Sequence, residues 1–123
     1  MKEGVILISH GSRRPEANEE MLAIGSRVQE RDPDGVYQVA FMSFGSPGIG
    51  ESIDILVRSG IDRIIVMPLF LVTGNHITQD IPEEIDLHRQ RLPGVEFVMA
   101  QHLAGYPGLV DIVLDRIQAC STR

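Results

Sequence analysis

Apolar residues along this chain occur as short β-branched runs that alternate with stretches of helical spacing. Val5-Ile6-Leu7-Ile8 is a continuous apolar run ended by Ser9-His10-Gly11-Ser12, the pattern of a strand buried on both faces that stops at a polar loop. From about Pro15 to Arg31, Ala17, Met21, Ile24 and Val28 recur on one helical face; Pro15 suits the first turn, and Asp32-Pro33-Asp34-Gly35 closes the helix. Val36 to Met42 reads as a second, more mixed strand, followed by a loop over Gly45 to Gly50. A second helix carries Ile49, Ile53, Leu56 and Val57, with Gly60 at its carboxyl cap. Arg63 to Val72 is the most apolar stretch. Pro68 cannot donate to a central ladder, so strand is expected before it and loop after it. A third helix, from about Thr78 to Arg91, aligns Ile81, Ile85, His88 and Leu92 and ends at Pro93-Gly94. Val95 to Met99 forms a last strand, and Leu109, Val113 and Ile117 mark a closing helix.

Four strands each followed by a helix require right-handed crossovers and a parallel sheet covered on both faces. The expected fold is therefore an α/β three-layer sandwich of the flavodoxin-like kind, formed as a single domain over residues 1–123. The purest apolar runs, at Val5 and Ile64, belong in the centre, and the mixed runs at Val36 and Val95 at the edges, which predicts spatial order 2-1-3-4. In that order the winding reverses between the first and third strands. Such sheets bind ligands beyond the carboxyl ends of the strands at that reversal, where the loops here carry His10 and His76.

Charge and composition narrow the chemistry. Seventeen acidic residues against eleven Lys plus Arg leave a net charge of −6, a poor footprint for a nucleic-acid partner. Lys2 is the only lysine and no G-x-x-x-x-G-K-[ST] string is present, which excludes a P-loop ATP site. The Gly45 to Gly50 segment lacks dinucleotide-binding spacing and follows the second strand, and no G-x-S-x-G elbow supports a serine nucleophile. A lone Cys120 forms neither an intrachain disulfide nor a cysteine-built metal site, so a reducing cytoplasm is expected. No secretory cleavage pattern is seen and no apolar stretch approaches the ~20 residues of a bilayer span, so no membrane association is expected.

Imidazoles suit divalent first-row metals and, when free, also take up protons. Two histidines alone make an open site, suited to a metal that is handed on rather than kept. Each histidine could instead hydrogen-bond its own loop; convergence on the switch point favours metal binding. Arg13 and Arg14 follow His10 directly and are either solvated or positioned to pair with ligand carboxylates. Arg89 and Arg91 are expected to be solvated, His88 to be a packing residue, and Asp80 and Glu83 to serve only the dipole of the third helix. His102, after the last strand, fits either a structural or a ligand role.

Taken in order, Ser9-His10-Gly11-Ser12-Arg13, Pro68-Leu69-Phe70-Leu71-Val72-Thr73-Gly74-Asn75-His76 and Asp80-Ile81-Pro82 resemble the small CbiX-type sirohydrochlorin chelatases, over about residues 4 to 119. The resemblance implies a class II chelatase, a lyase, that inserts a divalent metal into sirohydrochlorin without ATP: cobalt in the cobalamin branch, with nickel and iron open. It further implies a homodimer, a tetrapyrrole partner and no permanently bound cofactor, the metal being a substrate. His10 and His76 match the family's metal-binding and proton-removing histidines. Ser12, Arg13, Arg14 and Gly74, which neighbour them, are the candidate substrate contacts. Many relatives carry a glutamate where this chain has Ser43, which removes an anionic ligand and leaves the choice of metal open. Two other classes remain: a metal or tetrapyrrole carrier without turnover, and a flavodoxin-like regulatory module that binds a small anion and has no need of the histidines.

Overall fold

A computed structural model describes the backbone of residues 1–123 and every side chain except that of Ile77. Its elements are β1 (Glu3–Ser9), α1 (Pro15–Arg31), β2 (Tyr37–Phe41), α2 (Ile49–Arg58), β3 (Arg63–Pro68), a π-helical turn (His76–Asp80) that runs into α3 (Ile81–Arg91), β4 (Glu96–Met99) and α4 (Pro107–Gln118). The strands form one parallel sheet in the order β2-β1-β3-β4, as the apolar runs predict. Ile6, Ile8, Ile64 and Val66 are wholly inaccessible, the signature of β1 and β3 as central strands. β3 extends through Pro68 rather than stopping before it. Pro68 stands beside Ile8 at the strand end, and the Leu69 N–H continues the ladder to the Ile8 carbonyl at 2.8 Å, so the missing donor costs little.

One face of the sheet is closed by α2 and α3, whose Ile53, Leu56, Ile81 and Ile85 pack with Ile6, Ile8 and Val66 in the larger cluster. On the other face α1 lies over a smaller cluster of Leu7, Val39 and Phe41. Gly25 permits that approach: a Cβ there would stand 2.5 Å from Val39 Cγ2. Where α1 ends, the Tyr37 hydroxyl donates to the Asp32 carboxylate, whose hydrogen bond is the main cause that raises the phenol pKa above its ordinary value. Arg91 reaches Asp54 at 2.8 Å and so ties α3 to α2, and Arg89 donates to Asp86 and to the Phe97 carbonyl. Both arginines serve the fold.

The expected closing helix forms, but it closes nothing. α4 contains no buried residue and makes no extensive contact with any other element. Val110, Val113, Leu114 and Ile117, at helical spacing, remain 48–61% accessible. Residues 100–106 are held at the carboxyl edge by Ala100 N–H to the Val66 carbonyl and Leu103 N–H to the Phe70 carbonyl, and α4 leaves from there without returning over the sheet. Beneath the missing cover, Ile65 and Val98 are only half-buried. No described helix is long and apolar enough to cross a membrane.

The tight contact between α1 and β2 yields a prediction. Ala is worth about 1 kcal/mol more than Gly in a helix interior, but overpacking a stiff β-branched neighbour costs about 1–3 kcal/mol. Gly25→Ala is expected to lower the thermal midpoint by several degrees. Gly94→Ala, at a turn with nothing within 4 Å of its Cβ position, is expected to leave the midpoint unchanged or raise it slightly. Equal midpoints for the two variants would show that the layers can part without cost.

Candidate functional site

Parallel strands deliver their following loops to one edge, and at the edge beyond β1, β2 and β3 the loops are joined by backbone bonds. Met42 N–H donates to the Ser9 carbonyl at 2.9 Å, and Ser43 N–H to the His10 carbonyl at 3.0 Å. Gly11, at φ +89°, allows this approach: a Cβ there would lie 1.6 Å from the Ser43 carbonyl oxygen. From α1, Asn18 Nδ2 donates to the Ser12 and Phe44 carbonyls at 2.8 and 2.9 Å, while its Oδ1 accepts the Ser12 N–H at 2.9 Å. The His10 loop is thus clamped from two sides.

His76 opens the π-helical turn after the apolar loop that follows β3. Its ring lies against Phe70, with centroids 5.9 Å apart and a 30° interplanar angle. It meets His10 edge to face, at 4.7 Å between centroids and 64°. The hydrogen bonds of both rings define their tautomers. His76 Nδ1 lies 2.9 Å from Asp80 Oδ2, and His10 Nδ1 lies 3.1 Å from the Gly11 carbonyl oxygen. Both partners only accept, so in the neutral rings each Nδ1 carries the hydrogen and each Nε2 keeps its lone pair.

Two imidazoles so close, each with one basic nitrogen, can donate to one divalent ion at the usual metal–nitrogen distance of about 2.1 Å. Asp80 supports His76 from behind, as outer-shell carboxylates do for ligating histidines. Among the described residues no group of three or more His, Cys, Asp and Glu is arranged around a common metal position. The pair lies on open surface, His10 exposed and the His76 side chain 41% accessible.

The other predicted residues divide by place. Arg13 sits at the rim with its guanidinium carbon 4.6 Å from the centroid of the exposed Phe44 ring. Arg14 is exposed at the start of α1, where its N–H donates to Ser12 Oγ at 3.1 Å. Ser12 is largely occupied in shaping its own loop. The Gly74 carbonyl accepts from the Thr78 N–H and hydroxyl, and the space beside its Cα is open. His88 lies elsewhere, on α3 beside Glu84 and Arg91. His102 joins the rim of the site through Thr73 Oγ1, 2.9 Å from its Nε2. Asp80 corrects the sequence reading, because it is not merely a dipole-end residue but the partner of His76; its offset of four residues from the histidine was the available signal. Phe70 lies within the string from Pro68 to His76, whereas Phe44 and Asn18 had no comparable signal.

A family model, CbiX, matches residues 4–120. The chain is 30% identical over 118 residues to the chloroplastic sirohydrochlorin ferrochelatase of Arabidopsis thaliana, covering 96% of this chain and 52% of that protein. It is 31% identical over 134 residues to a sirohydrochlorin cobaltochelatase of Methanopyrus kandleri, covering 93% and 94% of the two chains. Its structure superposes on SirB from Bacillus subtilis with Fe3+ at a TM-score of 0.93 and 28% identity, over 100% of this chain and 49% of that one. The chain thus spans about half the length of some relatives and nearly all of another.

The backbone contact at Gly11 is open to test. Gly11→Ala adds a Cβ where a carbonyl oxygen already stands and where φ is positive, so the loops must separate, at an expected cost of about 1–3 kcal/mol. Chemical denaturation measures that loss, and amide exchange should quicken at Ser43, whose N–H is the donor of the shared bond. Unchanged protection at Ser43 would show that the two loops are not held together.

Proposed function

The chain belongs to the CbiX family, and from that premise we propose that it inserts a divalent metal ion into sirohydrochlorin without ATP, acting as a single domain in the cytoplasm. The observation that carries the reading is the His10–His76 pair, 4.7 Å between centroids, at the switch point of the sheet. Relatives named for cobalt and for iron insertion support the substrate class. Cobalt is the metal assigned first. Ser43, whose backbone abuts the His10 loop, offers a hydroxyl in place of a carboxylate, so the ion is held mainly by neutral donors and is easily passed on.

In this reading the macrocycle enters across the open rim with its carboxylates toward Arg13 and Arg14, while Ser12 and Gly74 border its path. The ion waits on the two Nε2 atoms. As the metal–nitrogen bonds to the four macrocycle nitrogens form, the two pyrrole N–H protons leave. Each imidazole regains its lone pair as the ion departs and can accept one of those protons. Asp80, hydrogen-bonded to His76 Nδ1, stabilises the resulting imidazolium. The metal is consumed as a substrate, and no resident cofactor is assigned. A second copy of the chain supplies the other side of the crevice, because one open edge cannot enclose a macrocycle; the relatives twice this length carry the equivalent mass in one chain.

An anaerobic insertion assay with cobalt, nickel and iron, followed by the absorbance of the metallated macrocycle, tests the proposal. His10→Ala and His76→Ala are each expected to lower the rate at limiting metal about 100-fold or more, with the fold retained because both are loop or turn residues. The double variant should be little worse than the poorer single one, since two donors to one ion act as a unit. A protein that bound metal and macrocycle without speeding their union would be a carrier; one indifferent to both substitutions would be an anion-binding module. Asp80→Asn should weaken cobalt binding about 10- to 100-fold in direct titration. Unaltered affinity would remove Asp80 from the site.

A further inference from the structure

Phe44 combines three properties that packing does not account for. Its ring is 55% accessible, its φ is +55°, and it belongs to neither core cluster. Bulky side chains rarely adopt that left-handed region, and residues held there gather at functional sites. The loop that carries Phe44 is fixed from several directions. Ser43 N–H is bonded to the His10 carbonyl, and the Phe41 N–H donates to the Pro47 carbonyl at 2.9 Å. Gly45 packs on the ring of buried Phe41, where a Cβ would stand 2.6 Å from Cγ, so the loop has no room to sink inward.

What the ring meets is Arg13, whose guanidinium carbon lies 4.6 Å from its centroid. The two residues come from different loops, and Asn18 sets both. Its side chain bonds the N–H and the carbonyl of Ser12, the residue before Arg13, and also the carbonyl of Phe44. Arg63, Arg89 and Arg91 pair with carboxylates of the chain; among the described residues Arg13 does not. A guanidinium seated on an aromatic face keeps its N–H edge for a planar anion. A free arginine side chain loses much rotamer freedom when it binds, and a seated one has already lost part of it. The seat lies beside the metal-binding pair, since Arg13 follows His10 in the same loop and Ser43 joins that loop to Phe44.

We propose that Phe44 is a positioning residue for carboxylate recognition: its ring seats the Arg13 guanidinium so that the N–H edge meets a ligand carboxylate already ordered. The strained backbone at residue 44 is stability given up to place the ring under the arginine. The proposal rests on the sirohydrochlorin reading for the identity of the carboxylated ligand. It adds to that reading what holds Arg13 in place, and a residue that acts on the ligand only through another side chain.

Anaerobic absorbance titration of the full chain with metal-free sirohydrochlorin reads this recognition without turnover. Arg13→Gln should weaken binding about 10-fold or more. Phe44→Leu, which keeps an apolar side chain but has no π face, should weaken it about 3- to 10-fold, and Phe44→Tyr, which keeps the face, should bind as the wild type does. Because Phe44 acts through Arg13, the double variant Arg13→Gln/Phe44→Leu should be no weaker than Arg13→Gln alone. Phe44→Gly relieves the positive φ and should raise the thermal midpoint while it loses affinity as Phe44→Leu does; a residue kept for packing would lose stability instead. A wild-type chain that does not take up sirohydrochlorin would overturn the functional reading and this inference with it. Wild-type binding that Phe44→Leu leaves unchanged, or that Phe44→Tyr weakens as much as Phe44→Leu, would overturn the inference alone. So would additive losses in the double variant, which would place the ring on the macrocycle itself, or a lowered midpoint in Phe44→Gly.

Discussion

Parallel pairing of β1 with β3 is the constraint on which the rest of this structure depends. Each strand of the pair lies between two neighbours, both are buried on their larger face, and both end at the same edge of the sheet. The loops that follow therefore emerge together although about sixty residues separate their sequences. His10 is the residue after β1, and His76 begins the turn reached after the loop that follows β3. Antiparallel pairing would have sent those loops to opposite ends, and no side-chain choice could then have joined the imidazoles.

The sequence carried most of this arrangement, because buried parallel strands and amphipathic helices leave different periods. The strand order followed from how uniformly apolar each run is, and Pro68 moved one boundary by a residue without altering the order. The histidine pair was legible as a consequence of topology. Asp80 was misjudged because an acidic residue near a helix start already has an ordinary explanation. The π-helical turn that brings its carboxylate to His76 leaves no mark in propensity. Phe44 and Asn18 act through a positive backbone angle and through hydrogen bonds to carbonyls of distant loops, neither of which has a sequence period. α4 shows a further limit. A stripe of Leu109, Val113 and Ile117 states that a helix has an apolar side, but not which molecule that side belongs against.

The chemistry at the edge is shaped as much by what fixes the rings as by the rings themselves. Backbone and carboxylate acceptors on Nδ1 set both neutral imidazoles in the tautomer with Nε2 available. On the proposed reading, few ligands, neutral donors and an open approach would hold an ion loosely, which suits transfer better than storage. The clamps around His10 are built from backbone bonds and Asn18, so the donor can be altered without dismantling its support.

The central place of the first strand has a consequence for synthesis. β1, α1 and β2 leave the ribosome as a complete parallel pair before β3 emerges, and the other edge of β1 must then wait for Arg63–Pro68. During that interval the apolar run Val5 to Ile8 presents an unpaired ladder of backbone groups, a template to which any extended apolar segment can add. Emergence at about 5–20 residues per second makes the wait a matter of seconds, long compared with collapse. The first strand is therefore exposed for longer than the last, and a pause in translation before Arg63–Pro68 emerges would lengthen that period rather than assist folding.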